Sequence, residues 1–259
     1  MLIINDLSIH YKSKQAFLPV ISHLSFQLPE GESLAVLGPS GCGKSTLINA
    51  LAGSLAIESG TIEFTAGNQR CPLNPRQHKI GLIPQNCGLL PWKTVRENCL
   101  LPLKIRKEYQ KVKHTKELDR LSQALNIQDI LNKYPGELSG GQLQRSALAR
   151  AFLLEPDLLL MDEPFSALDA ITREEARELF LRVWKYQKPT TILVTHSIEE
   201  ALYLGSRIFV MDTSGGTIRY QKDNPYFGQL TPKHTDYLTA QQLLRRQLIK
   251  KEEGMDTFE

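Results

Sequence analysis

The sequence predicts an α/β fold: a core built on a mostly parallel sheet, an N-terminal antiparallel β subdomain, and a helical subdomain inserted part-way along the chain. Three observations carry that expectation. Short apolar runs at residues 33–37, 80–83, 158–161 and 191–194 read as strands covered on both faces, the pattern of a parallel sheet. Residues 2–28 instead alternate apolar and polar side chains, as antiparallel strands with one covered face do. Between Gln85 and Pro156 the apolar residues recur at helical spacing.

Taken in order, the first segment sets Leu7, Ile9 and Tyr11 on one face and then Leu24, Phe26 and Leu28 on another strand. The run 33–37 ends at Gly38, which opens a glycine-rich loop and a helix expected to stop near Gly53. The run 80–83 leads into Pro84-Gln85. In the helical stretch, residues 108–125 are rich in Lys and Glu, and 142–154 carry Leu143, Ala147, Ala151 and Leu154. The run 158–161 ends at Asp162-Glu163, and 191–194 ends at Thr195-His196. Ligands of open α/β sheets bind beyond the carboxyl ends of the strands, so these polar stretches are expected to converge on one site. The division follows: 1–84 and 157–215 as core with the β subdomain, 85–156 as helical subdomain, and 216–259 as a tail, loop-like beyond Gly215-Gly216 and then amphipathic around residues 239–251.

Bulk properties narrow the function classes. A chain of 259 residues, 41% hydrophobic and 23% charged, is that of a globular protein with a sizeable core and needs no disulfide scaffold. The net charge of +3, with 31 Lys and Arg interleaved among 28 Asp and Glu, argues for no nucleic-acid partner. Cys42, Cys71, Cys87 and Cys99 form no C-x-x-C pair, against a zinc site and in keeping with a reducing cytosol. Neither a signal peptide nor an apolar run approaching the roughly twenty residues of a membrane span is expected. A membrane role would run through a partner.

Gly38-Pro39-Ser40-Gly41-Cys42-Gly43-Lys44-Ser45 fits G-x-x-x-x-G-K-[ST] and lies between a predicted strand and a predicted helix. This is the phosphate loop of a P-loop NTPase core. Its glycines let backbone N–H groups turn toward phosphate oxygens, Lys44 reaches the terminal phosphates, and Ser45 ligates Mg²⁺. Beside such a loop, Asp162 at a strand end is expected to hold Mg²⁺ and Glu163 to polarise the attacking water. An Asn-Lys-x-Asp guanine motif is missing, since Asn132-Lys133 continues as Tyr134-Pro135, which disfavours a switch-type GTPase.

Leu138-Ser139-Gly140-Gly141-Gln142, at a predicted helix start, supplies a second anion-binding turn. With it the chain resembles the ATP-binding cassette (ABC) ATPases from Leu2 to about Asp212, with the family's motifs in the family's order. The resemblance implies two ATP molecules, each with Mg²⁺, sandwiched between head-to-tail copies. Ser139, Gly140, Gly141 and Gln142 of one copy would then face the γ-phosphate held by the phosphate loop and Thr46 of the other. It further implies that adenine stacks on Tyr11, that Gln85 contacts Mg²⁺ or water and reports to a membrane partner, that Asp169 reaches across the dimer, and that His196 contacts the γ-phosphate and positions Glu163. Ser197 stands where many relatives carry Asp. The tail is too short for the large regulatory domain of sugar-importer relatives.

Residues 88–98, with Leu90-Pro91-Trp92, resemble the subfamily importing nitrate, sulfonates and taurine. Two readings of Trp92 stand: an exposed contact for a short helix of a membrane subunit, or an anchor of the subdomain's core. The resemblance implies permease subunits, indirectly a solute-binding protein for a small anion or organic solute, and a peripheral position on the cytoplasmic side of the cell membrane. The rival classes are a soluble cassette ATPase acting on nucleic acid or ribosomes, a non-hydrolysing regulator, and an exporter. The first usually carries two cassettes or a coiled-coil insertion, and this chain has no heptad run.

Overall fold

The computed structural model describes residues 1–12, 17–66, 69–229 and 235–249. The predicted strands form where the apolar runs lie: β3 (Ser33–Leu37), β6 (Ile80–Ile83), β7 (Leu158–Asp162) and β8 (Thr190–Thr195), with β1 (Leu2–Lys12) and β2 (Phe17–Leu28) before them. Strands β4 (Ser59–Ala66), β5 (Gln69–Pro72), β9 (Arg207–Met211) and β10 (Ile218–Asp223) complete two sheets. The larger has the order β10-β9-β3-β8-β7-β6 and the smaller β2-β1-β4-β5. Neighbours from β6 to β9 pair in parallel, β10 joins antiparallel to β9, and the smaller sheet is antiparallel.

Side chains of the parallel strands divide by parity, as a period of two requires. Leu34, Val36, Leu158, Leu160, Ile192 and Val194 face the smaller sheet, and α1 (Lys44–Leu51) packs into that layer through Leu47, Ile48 and Leu51. Ala35, Leu37, Leu159, Met161 and Leu193 face the opposite layer of helices. Both faces are buried, so the runs are continuously apolar rather than alternating.

The helical insertion holds α2 (Val95–Ile105), α3 (Lys111–Ala124) and α4 (Gly140–Leu153). Thr94 starts α2 with a capping box that also uses Glu97. Helix α5 (Ala170–Gln187) returns the chain to the core, burying Ala176, Phe180, Val183 and Trp184, and the Trp184 indole N–H donates to Thr191 Oγ1 at 2.8 Å. Helix α6 (Ile198–Leu204) follows β8, and α7 (Thr235–Ile249) buries Tyr237 and Leu244.

One expectation is corrected. The stretch after Gly216 is not loop-like, because 218–223 form β10, whose backbone finds partners along β9. Its side chains are half-buried or exposed, so little apolar pattern marks it. Helix α7 begins four residues before the expected amphipathic region and covers it as far as Ile249; residues 250 and 251 lie outside the described part.

Candidate functional site

Register brings the polar stretches together. Leu37 pairs with Thr195, Asp162 with Val194, and Ile83 with Met161, so the Gly38 loop, Gln85, Asp162-Glu163 and His196 all leave one edge of the sheet. In the loop, Gly41 has φ 84° and Gly43 has φ 102°, a left-handed backbone that favours glycine. Gly43 is the N-cap of α1 and offers no side-chain cap, which leaves the helix's first amides for an incoming anion. A Cβ at Gly38 would lie 2.5 Å from Cys42 Sγ, so the loop closes tightly on its own thiol. Burial pushes that thiol up and Lys44 opposes the shift.

Lys44 is 5% exposed, and its Nζ donates to the Gly38 and Pro39 carbonyls at 2.9 Å each. The ammonium is thus held inside the loop by neutral acceptors, for which an anion's oxygens would be stronger partners. Thr46 follows, and its Oγ1 lies 3.4 Å from the Tyr11 hydroxyl. Tyr11 itself is 44% exposed at the rim of the loop, which leaves ring surface open to a planar ligand.

Ser45 Oγ donates to Asp162 Oδ1 at 3.0 Å. Burial raises Asp162 above the usual carboxylate range and Glu163 adds to the rise, while the Ser45 hydrogen bond and Lys44 oppose it. A hydroxyl beside a carboxylate is a hard-oxygen donor set suited to Mg²⁺. Glu163 adopts φ 45°, uncommon for a residue with a Cβ and a mark of local strain at a site. Its amide donates to Val194 O at 3.0 Å, its carbonyl accepts from Ser166 Oγ at 2.9 Å, and its Oε2 lies 3.1 Å from His196 Nδ1. A carboxylate oriented by an imidazole and facing outward can accept a proton from water.

Two helix starts form a second cluster. Ser139 caps α4: its Oγ accepts from the Gln142 amide at 3.3 Å, and its own amide donates to Gln142 Oε1 at 3.0 Å. Asp169 caps α5, accepting from the Thr172 amide at 3.1 Å, a contact that holds its carboxyl below the usual range. The two turns touch, since a Cβ at Gly141 would lie under 3.0 Å from Thr172 Cγ2 and one at Gly140 would lie 3.5 Å from Leu168. Among the described residues, none of Ser139, Gly140, Gly141 or Gln142 bonds to the phosphate loop.

Gln85 stands exposed on the turn after β6. That turn is clasped by Arg150, a residue that no sequence motif singles out: its guanidinium donates to the carbonyls of Gly88, Cys87 and Leu82. Burial lowers the Arg150 guanidinium's pKa, and the three carbonyls supply the partners that a buried cation requires. The one signal for it is a cation amid the apolar stretch 147–154. Trp92 is 69% exposed, so the reading as a core anchor fails.

Residues 21–166 match the family model for the ABC transporter. The chain belongs to the ABC transporter family. It is 38% identical over 242 residues to the taurine import ATP-binding protein TauB of Pseudomonas aeruginosa, covering 86% of this chain and 90% of that one. To the aliphatic sulfonates import ATP-binding protein SsuB of Bacillus cereus it is 40% identical over 227 residues, 86% of each chain. Its fold superposes with a TM-score of 0.75 and 28% identity on a dimeric post-hydrolysis state of the ATP-binding cassette MJ0796 bound to ADP and Pi, covering 86% of this chain and 98% of that one. The chain is an ABC ATPase with a nucleotide-binding core, and among the described residues no helix is long and apolar enough to cross a membrane.

Proposed function

We propose that this ABC ATPase energises the import of a small organic solute, of the sulfonate or taurine kind, by binding and hydrolysing ATP between two copies of itself on the cytoplasmic side of a permease. The observation that carries the chemistry is the convergence, at one sheet edge, of the Lys44 loop, the Ser45–Asp162 pair and the Glu163–His196 pair. Import and solute class rest on the similarity to TauB and SsuB.

Lys44 exchanges its two carbonyls for oxygens of the terminal phosphates, while the amides at the start of α1 and the loop residues Gly38, Pro39, Ser40, Gly41, Cys42 and Gly43 wrap the rest. Ser45 and Asp162, with Gln85 from the exposed turn after β6, would hold Mg²⁺. The ion would supply neutralisation of the phosphate charge. Glu163 takes the proton of the attacking water, and His196 orients Glu163 and reaches the γ-phosphate. Tyr11 stacks on adenine. The α4 start of the second copy, with the free amides of Gly140 and Gly141, caps the γ-phosphate, and Asp169 reaches across the seam. Closing and reopening of the dimer then rocks the permease, which docks on the exposed Trp92 face and receives solute from a solute-binding protein.

Glu163→Gln tests this directly. The variant keeps ATP binding and dimerises more stably with Mg-ATP, while turnover falls by about a hundredfold or more, as for a lost general base. Wild-type turnover in a steady-state phosphate-release assay would sink the assignment.

A further inference from the structure

The turn that carries His196 is held from behind by a carboxylate that the proposed chemistry leaves unused. Glu200, on α6, is 3% exposed, and its Oε2 accepts from Thr195 Oγ1 at 2.6 Å. Thr195, the last residue of β8, is 1% exposed, and the same Oγ1 accepts from the Ser197 amide at 3.0 Å. One hydroxyl therefore bridges the residues on either side of His196 to a buried acid. The capping of α6 does not need this acid's side chain, since Ser197 Oγ already accepts from the Glu200 amide at 3.3 Å.

Burying a carboxylate is costly, and an apolar residue of the same size would be cheaper. Burial pushes the Glu200 carboxyl up; the Thr195 hydroxyl and the positive charges of Arg177 and Arg173 oppose the shift. Arg173 also donates to the Phe165 carbonyl at 3.1 Å and to that of Leu168, in the segment between Glu163 and Asp169. Glu200 thus braces the His196 turn within the field of the arginine that braces the segment after Glu163.

We propose that Glu200 is a positioning residue for the Glu163–His196 pair, acting through the Thr195 hydroxyl to hold the turn that presents His196. This rests on the reading of Glu163 and His196 as the pair that acts on water. Glu200 is buried behind the turn, so its loss lowers kcat and leaves nucleotide binding alone.

The test is steady-state ATP hydrolysis per folded molecule, with ADP affinity by calorimetry, for Glu200→Ala, Glu200→Gln, Thr195→Val and Thr195→Ser, beside Glu163→Gln. Glu200→Ala and Thr195→Val each lose about tenfold or more in kcat, with KM within about twofold of wild type. Glu200→Gln keeps an acceptor oxygen and Thr195→Ser keeps the hydroxyl, so both stay within about threefold of wild-type kcat. Wild-type kcat in Thr195→Val, a KM that rises in step with the loss, or a Glu200→Gln as impaired as Glu200→Ala overturns the proposal. Where Glu200→Ala does not fold, the Thr195 pair decides. An active Glu163→Gln brings down the underlying catalytic reading instead, whereas an inactive Glu163→Gln beside a fully active Thr195→Val removes the Glu200 role alone.

Discussion

Gly141→Ala should destabilise the protein even though it replaces glycine inside a helix, a change that on an open face is stabilising. Gly141 is buried, and a methyl there would sit under 3.0 Å from Thr172 Cγ2 on the first turn of α5. Overpacking of this kind costs about 1–3 kcal/mol. Against it stands a gain of about 0.5–1 kcal/mol from the lost freedom of glycine in the unfolded chain. The net loss runs from near zero to about 2.5 kcal/mol, which lowers Tm by up to about 10 °C for a chain of this size. Gly140→Ala is the control, because its methyl would meet Leu168 at an ordinary 3.5 Å and nothing closer. The second half of the prediction is coupling. Thr172→Ser removes the Cγ2 methyl, so in that background Gly141→Ala recovers most of the lost stability, with a coupling energy of about 1 kcal/mol or more in a double-mutant cycle. Calorimetric scans of the four proteins measure it. Additive effects, or a Gly141→Ala more stable than wild type, would refute the claim that the Ser139 and Asp169 turns are locked together by close contact at this glycine.

Tyr11→Ala should weaken ATP binding by about threefold to tenfold, the worth of one aromatic stacking contact, and unchanged affinity in a fluorescent-nucleotide titration removes that role. Trp92→Ala should leave Tm within about 1 °C, because the side chain is 69% exposed, yet reduce recovery with permease-bearing membranes; full recovery argues against docking there. Asp162→Asn should raise the Tm of the nucleotide-free protein at neutral pH. Burial holds the folded-state pKa of Asp162 above its ordinary 3.8, so the folded state binds the proton more tightly and stability falls as pH rises through that window. The Tm difference between Asp162→Asn and wild type should shrink on acidification below the ordinary value, and a difference that stays constant with pH would count against the assignment.

Several parts of the site are legible in the sequence. The phosphate loop is a local pattern whose glycines and lysine act within one turn of chain, and the geometry at Gly41, Gly43 and Lys44 follows from it. Asp162 and His196 announce themselves as polar residues ending apolar strands. Other supports leave little trace. Thr195 and Glu200 look like an ordinary strand end and an ordinary helix acid until burial brings them within 2.6 Å. Helix α5 buries Ala176, Phe180, Val183 and Trp184, but its charged residues dilute the stripe and the sequence sets no helix apart there. Strand β10 has no such stripe, because an antiparallel edge strand can be held by its backbone with side chains half in water.

By itself the sequence determined the first two strands, the four continuously apolar strands, the helix after the phosphate loop and the chemical groups at their ends, since periodicity and loop chemistry act over a few residues. The tertiary structure alone decided the strand order β10-β9-β3-β8-β7-β6, the bond of the buried Glu200 with Thr195, and the clasp of Arg150 on the turn after Gln85. Those relations depend on hydrogen bonds and packing between residues far apart in the chain, such as the 63 positions separating Cys87 from Arg150, and only the folded backbone brings such groups within reach of one another.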